Sequence, residues 1–254
     1  MTGDWDKDIE SLLEDWPYNS GEPHARLITG RDGKERVQVR LELGLLQMHA
    51  DGRPDGQHPH GEETLLDFVR QNLKQVVELL GDDATFKLSR RTCQELRREA
   101  VLFYHRYMSC FALKEYERVK RDTAHNLAIL DMMKQYAEDK IDRESMEEFR
   151  PFVLMMHTKG EAHLLLEKGY VGEAEQLVQQ SIHRLLGMSR RYGARVASEI
   201  ASLRDLVREF PPADSPARAE RLERRLQDAV AREDFEQAAV LRDKIREIRE
   251  RRHT

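Results

Sequence analysis

The residues with the clearest capacity for chemistry crowd a glycine-rich stretch. Asp55, His58, His60 and Glu62 lie within residues 55–62. His58-Pro59-His60 sets two imidazoles close together, and imidazole and carboxylate are common zinc ligands. No third histidine or cysteine stands at ligand spacing, so the cluster reads as a polar loop and no metal is expected. In the same stretch, Gly52-Arg53-Pro54-Asp55-Gly56 pairs an arginine with an aspartate. Such a pair suits an anion or a peptide carboxylate, but these side chains more often pin their own turn. His157 and His163 are six apart on an expected helix and face different directions. Met132-Met133 and Met155-Met156 have the side chains of an adaptable groove, yet their helical spacing reads as core filling. Cys93 and Cys110 are too far apart for a CxxC redox or zinc pair. No catalytic constellation is present. The expectation is a protein that binds, with neither an enzymatic activity nor a cofactor.

The elements that must carry these residues follow from hydrophobic spacing. Trp5, Ile9, Leu12, Leu13 and Trp16 recur at steps of three and four, which predicts a short helix stopped by Pro17 and Asn19-Ser20-Gly21. Val37, Val39, Leu41 and Leu43 alternate with polar residues, which predicts a strand over 36–43. Residues 25–29 form its partner across Gly30-Arg31-Asp32-Gly33, and Gly44 is expected to bend or bulge the second strand before 45–48. A two-stranded hairpin is marginal alone. It must pack on helices, gain a third strand or pair with another copy. Residues 50–61 are turn-rich.

Everything after residue 62 reads as helix. Expected helices span 62–80 (stopped by Gly81), 89 to about 112 (capped by Ser89) and 115–137. Another runs from a cap at Asp142 to about 168, with Pro151 either kinking it or marking its true start. Two more cover 170–186 and 194–210. Residues 112–119 and 167–174 share a step of turn, Tyr or Val, two polar residues and a small apolar one. This faintly resembles tetratricopeptide helix pairs, at a wider spacing, and a plain bundle serves equally well. The prolines of 211–216 predict a semi-rigid linker.

Beyond the linker, Leu222, Leu226, Ala229 and Val230 make one helical stripe. Phe235, Ala238, Ala239, Leu241, Arg242, Ile245 and Ile248 make a second. Arg232-Glu233-Asp234 turns the chain between them, with Asp234 placed to cap the second helix. The product is a short αα-hairpin. Its leucine spacing, followed by Asp234-Phe235-Glu236-Gln237-Ala238-Ala239-Val240-Leu241-Arg242-Asp243-Lys244-Ile245, resembles the UVR motif. That motif stands at the end of the B subunit and within the C subunit of the bacterial excision nuclease. It also occurs in certain Clp-type chaperone ATPases and in partners of a stress-regulating arginine kinase. The resemblance implies protein–protein docking, and it implies Leu222, Leu226, Phe235, Glu236, Ala238, Ala239, Arg242, Asp243 and Ile245 as partner-binding residues. Arg242 and Asp243 exceed what an apolar stripe requires; an ion pair or a charged partner contact is their expected role. The chain lacks the phosphate loop of the B subunit and the CxxC zinc ligands of the kinase partner. Residues in the N-terminal stretch, among them Trp16-Pro17-Tyr18, Leu43-Gly44-Leu45-Leu46-Gln47-Met48 and Gly52-Arg53-Pro54-Asp55-Gly56, resemble the start of an uncharacterised bacterial family of UVR-domain proteins.

Composition agrees with long solvated helices. The 254 residues are 35% charged and 7% aromatic, with a net charge of -5. Residues 217–254 hold 11 basic and 9 acidic residues, a net of +2, and the remainder carries -7. Net acidity argues against a dedicated nucleic-acid binder. No run of apolar residues is long enough to cross a membrane, and the start lacks a secretory layout. The reading is a mainly α, cytoplasmic protein. It has an N-terminal helix and β-hairpin with a Gly-rich loop (1–61), a bundle or tetratricopeptide-like helical body (62–210), a linker (211–216) and a UVR-like hairpin (217–254). It is expected to act as an adaptor for an excision-repair subunit or a Clp-type ATPase, with self-association as a further mode. The alternative is a DNA-associated repair accessory that uses the basic tail.

Overall fold

The computed structural model describes residues 9–21, 24–212 and 216–252. Trp5 and residues 213–215 of the Pro-rich stretch therefore lie outside the described residues. The chain divides into two compact units, residues 1–153 and 154–254.

The first unit opens with a single helical turn, α1 (Glu10–Leu13), followed by an antiparallel meander of β1 (Ala25–Thr29), β2 (Glu35–Leu41) and β3 (Gly44–His49). The second strand does not run on to Leu43. Glu42 and Leu43 form a two-residue turn, Leu41 pairs with Gly44, and the segment read as a bent continuation is a third strand. Leu43 thus stands 93% exposed although it continues the apolar alternation. The register stacks Leu27, Val37 and Met48 across the three strands. Val37 and Met48 are buried against Cys110 and Val119, so the sheet packs on helices. On the other face the side chains form a polar ladder: Arg26 Nε donates to Gln38 Oε1 at 2.8 Å and Gln38 Nε2 to Gln47 Oε1 at 2.8 Å. The third strand and the helices together supply what a lone hairpin lacks.

The helices follow as α2 (Leu65–Leu80), α3 (Arg90–Ala112), α4 (Tyr116–Tyr136) and α5 (Lys140–Glu144). Thr64 and Ser89 cap α2 and α3 through their side chains, and Gly81 closes α2 in the left-handed region (φ 84°). Residues 140–168 are not one helix. Asp139, not Asp142, caps α5, a 3₁₀ turn spans Glu147–Phe149, and α6 begins at Arg150. Pro151 sits in the first turn of α6, where its missing N–H costs nothing. Asp142 is buried and accepts from Arg97 Nη1 at 2.8 Å. The core of this unit joins Leu66, Val69, Cys93, Leu96, Ala100, Ile129 and Met133.

Helix α6 (Arg150–Glu167) begins in the last residues of the first unit, and the second unit continues with α7 (Val171–Tyr192), α8 (Ala194–Arg208), α9 (Pro216–Ala231) and α10 (Phe235–Arg252). Val171, Ala174, Val178, Ile182 and Leu185 line one face of α7, and Val196, Ile200, Leu203 and Leu206 one face of α8. Thr158 Oγ1 donates to Ser181 Oγ at 2.8 Å, tying α6 to α7.

One turn closes three helix pairs. Lys114, Gly169 and Glu233 each adopt positive φ (60°, 80° and 59°) between α3–α4, α6–α7 and α9–α10. In each, the next residue donates its N–H five residues back: Glu115 to Cys110, Tyr170 to Leu165 and Asp234 to Ala229. This satisfies a carbonyl orphaned at the helix end.

Candidate partner interface on the C-terminal hairpin

The hairpin of α9 and α10 is built by the residues that its two stripes supply. Asp234 Oδ1 accepts from the Gln237 N–H at 3.0 Å, which starts α10 immediately after the turn. Leu222, Ala229, Ala238, Leu241 and Ile245 are buried against one another, with Leu226 packed at their edge. The small Ala229 and Ala238 allow the helices to approach beside the turn. Here the sequence stripe separates into two populations. Leu222, Ala238 and Ile245 hold the hairpin shut, with Leu226 beside them. Phe235, Glu236, Ala239 and Arg242 are exposed. Phe235 is 68% exposed, and Val240 and Val230 about half exposed.

The charged pair also lies outside. Arg242 Nε is 3.7 Å from Asp243 Oδ1, and Arg246 Nη2 is 3.3 Å from the same oxygen. Exposed pairs of this kind contribute little to stability. The side chains of Arg249, Arg251 and Arg252 lie outside the described residues.

The α9 side of the hairpin is tied down within its own unit. The Arg225 guanidinium lies 3.6 Å above the Tyr170 ring, and its Nη2 is 3.4 Å from Glu173 Oε1. The Arg225 side chain is only 10% exposed. A guanidinium stacked on an aromatic face and paired with a carboxylate is held by cation–π attraction and charge together.

Residues 217–251 match the family model of the UvrB/uvrC motif. The C-terminal hairpin carries this motif. The match covers α9 and α10 and leaves the sheet and the helices α1–α8 outside it. No curated protein and no solved structure is significantly similar to the chain. In this hairpin Leu222, Ala229, Ala238, Leu241 and Ile245 make the core, and Phe235 and Arg242 face outward.

Most of the other sequence candidates have structural partners. His60 stacks on Phe68, with ring centroids 4.1 Å apart, and His58 is exposed. Among the described residues, no three His, Cys, Asp or Glu side chains are grouped to hold a metal ion. Arg53 Nε lies 3.3 Å from Asp55 Oδ1 and 3.5 Å from Glu99 Oε2. The pair therefore pins its own loop, and pins it to α3. Gly56 has φ 71° and its backbone lies against the His49 ring; a Cβ there would meet Nε2 at 2.5 Å. Met132, Met133, Met155 and Met156 are all buried. Burial pushes the thiols of Cys93 and Cys110 up to about 11 and about 12, so neither is a ready nucleophile.

Sequence reasoning missed a buried charged network in the first unit. Arg106 and Asp122 are both fully buried. Arg106 Nη1 donates to the carbonyls of His49 (2.9 Å) and Gly52 (2.7 Å), and so holds the end of β3 and the Gly-rich loop. Arg121 reaches Asp122, Asp51 and the Ala50 carbonyl, from 2.7 to 2.9 Å. Glu99, also fully buried, accepts from the Leu65 and Leu66 N–H groups at 2.8 and 3.0 Å, capping α2. His125 Nε2 lies 3.1 Å from Glu99 Oε1 and its ring stacks on Phe103 at 3.8 Å. A signal existed: Glu99, Arg106 and Asp122 occupy core positions of helices whose neighbours on the same face are apolar. The network positions a loop and a helix start; every one of its charges is answered within the chain.

Proposed function

We propose that this chain is a non-enzymatic adaptor that docks a partner protein through the outward face of its C-terminal hairpin. One observation carries the reading. The hairpin completes its apolar core with Leu222, Ala229, Ala238, Leu241 and Ile245, yet keeps Phe235 at 68% exposure with Val240 and Arg242 on the outside. An exposed aromatic and an exposed arginine two turns apart on one helix have the composition of an interface hot spot. The UvrB/uvrC motif supports interaction in excision-repair or Clp-type settings. An excision-repair subunit or a Clp-type ATPase is the partner class we infer, in the cytoplasm, with a second copy of the hairpin as a further partner. The apolar contact supplies affinity, and the charges around Arg242 supply specificity.

The test is affinity capture from the native host with the wild-type chain and with Phe235→Ala/Arg242→Ala. Loss of specific partners from the variant is the expected result. Identical partner lists would remove the hairpin from the mechanism.

The charge division favours one alternative, a DNA-associated accessory. Residues 217–254 carry +2 against -7 elsewhere. Phosphate contacts made by such a tail would weaken steeply with salt. Binding of duplex DNA at low salt that is lost with residues 217–254 is the outcome this reading requires.

A further inference from the structure

Helix α2 runs past the core that its first half builds. Leu66, Val69, Leu73, Val76 and Leu80 follow one another at alternating steps of three and four, the spacing of a helix–helix seam. The core uses only the start of that seam. Leu66 and Val69 are buried, and Leu73 packs at the edge of the same cluster. Farther along, Val77, Leu79 and Leu80 stand 39%, 83% and 60% exposed. The end of the helix is well formed, with the Gly81 N–H donating to the Val77 carbonyl at 2.8 Å. Two ordered turns thus carry the core-facing stripe out into water. A stripe of this kind differs from the single apolar residues that surfaces ordinarily scatter.

The charges beside the stripe specify what covers it. Arg70, Lys74 and Glu78 descend one flank of α2 at steps of four, and Asp82 follows just past Gly81. The flank is basic toward the middle of the helix and acidic toward its end. Within the chain these charges are loosely held: Lys74 Nζ to Glu78 Oε1 and Arg70 Nη1 to Asp67 Oδ1 are each 3.7 Å, on exposed side chains. The opposite flank carries Asn72 and Leu79 and no charge. A helix charged on one flank, with its signs separated along the axis, is complementary to itself reversed. A two-fold axis perpendicular to two antiparallel helices sets each flank beside its own equivalent and reverses the order of residues. Lys74 then stands opposite the partner's Glu78 and Arg70 opposite the partner's Asp82. On the seam, Leu73 meets the partner's Leu80 and Val76 the partner's Val77. A parallel pair would lay the charged flank against Asn72 and Leu79 and match nothing.

We propose that the C-terminal half of α2 is a self-association face, covered by the same helix of a second copy of this chain running antiparallel about a two-fold axis. The apolar seam supplies the attraction, and the Arg70–Lys74–Glu78–Asp82 flank sets direction and register. This face is separate from the outward face of the C-terminal hairpin and does not depend on it.

The test is sedimentation velocity of the full chain between about 1 and 300 µM. A reversible dimer with a Kd on the order of 10–100 µM is expected, the weak class that a contact of two turns supports. Leu80→Arg, at an exposed position, should weaken it at least about tenfold. Lys74→Glu and Glu78→Lys each place like charges at two contacts per dimer and should each weaken it about fivefold. Mixed in equal amounts, these two variants bring opposite charges together at both contacts and should associate about as tightly as wild type. That rescue also shows that both variants fold. Phe235→Ala should dimerise as wild type does. A monomer throughout the range, or wild-type dimerisation in Leu80→Arg, would overturn the proposal. A mixture no tighter than either charge variant alone would overturn the antiparallel pairing. A dimer lost in Phe235→Ala and kept in Leu80→Arg would assign self-association to the hairpin and overturn the α2 face.

Discussion

Arg106 and Asp122 meet as a fully buried, two-pronged ion pair, with Nε to Oδ2 at 2.7 Å and Nη2 to Oδ1 at 2.8 Å. The fork of the guanidinium matches the carboxylate, and its remaining nitrogen holds two carbonyls of the Gly-rich segment. Asp122→Ala leaves a buried guanidinium without its counter-charge and should destabilise the first unit by about 3–5 kcal/mol. Urea unfolding followed by circular dichroism checks this. A loss under about 1 kcal/mol would mean that water replaces the carboxylate around Arg106.

Glu99 gives the first unit an acid sensitivity. Burial works against its charge, but His125 and the amides of Leu65 and Leu66 outweigh that and hold its carboxyl below the ordinary 4.5. A carboxyl depressed in the folded state contributes stability that is fully present above 4.5 and lost as pH falls through its folded value. Glu99→Gln should therefore flatten the dependence of stability on pH below about 4.5, besides lowering stability at neutral pH. Parallel acid titrations of wild type and variant would show an unchanged slope if Glu99 were not responsible.

The hairpin separates a packed set of side chains from an exposed one. Leu241 is 2% exposed, and Leu241→Ala should cost about 2–4 kcal/mol in the local stability of α9 and α10. Phe235→Ala should cost under about 1 kcal/mol, because the ring is already in water. Amide hydrogen exchange across residues 222–246 measures both. Equal loss of protection in the two variants would make Phe235 a core residue.

Arg225 fastens the α9 side to Tyr170 and Glu173. Arg225→Lys keeps the charge but loses the planar stack, so it should weaken this contact nearly as much as Arg225→Ala, by about 0.5–2 kcal/mol. Tyr170 fluorescence quenching and proteolysis at 209–216 report the release. Wild-type behaviour of the lysine variant would assign the contact to charge alone.

Glu233 occupies the left-handed turn position at φ 59°, where Gly169 stands in the equivalent turn of α6–α7. Glu233→Gly should stabilise the hairpin by about 0.5–1 kcal/mol. A destabilised variant would show that the Glu233 side chain contributes more than its backbone strain costs.

The hairpin was the most legible part of the sequence because everything that forms it is local. Two stripes, two alanines and a capping Asp234 lie within one continuous segment, and helical period alone places them. The strand alternation was legible for the same reason up to Leu41. It then misled, because Leu43 continued the pattern while Glu42 and Leu43 turned the chain. Alternation records which residues are apolar and cannot report where a turn interrupts a strand. Asp142 had the residue type of a cap, but Asp139 does that work and Asp142 serves Arg97, 45 positions away.

The sequence by itself determined the helical character, the helix termini at Ser89 and Gly81, and the C-terminal hairpin with its motif, since these rest on contacts within a few turns. Tertiary structure decided the rest. It drew Arg106 to His49 across 57 residues and Glu99 to Leu65 across 34, so that charges in apolar stripes became a buried network. It also divided one stripe of α10 into residues that close the hairpin and residues left in water. A helix has a single period, and only the position of its neighbour decides which part of that period is buried.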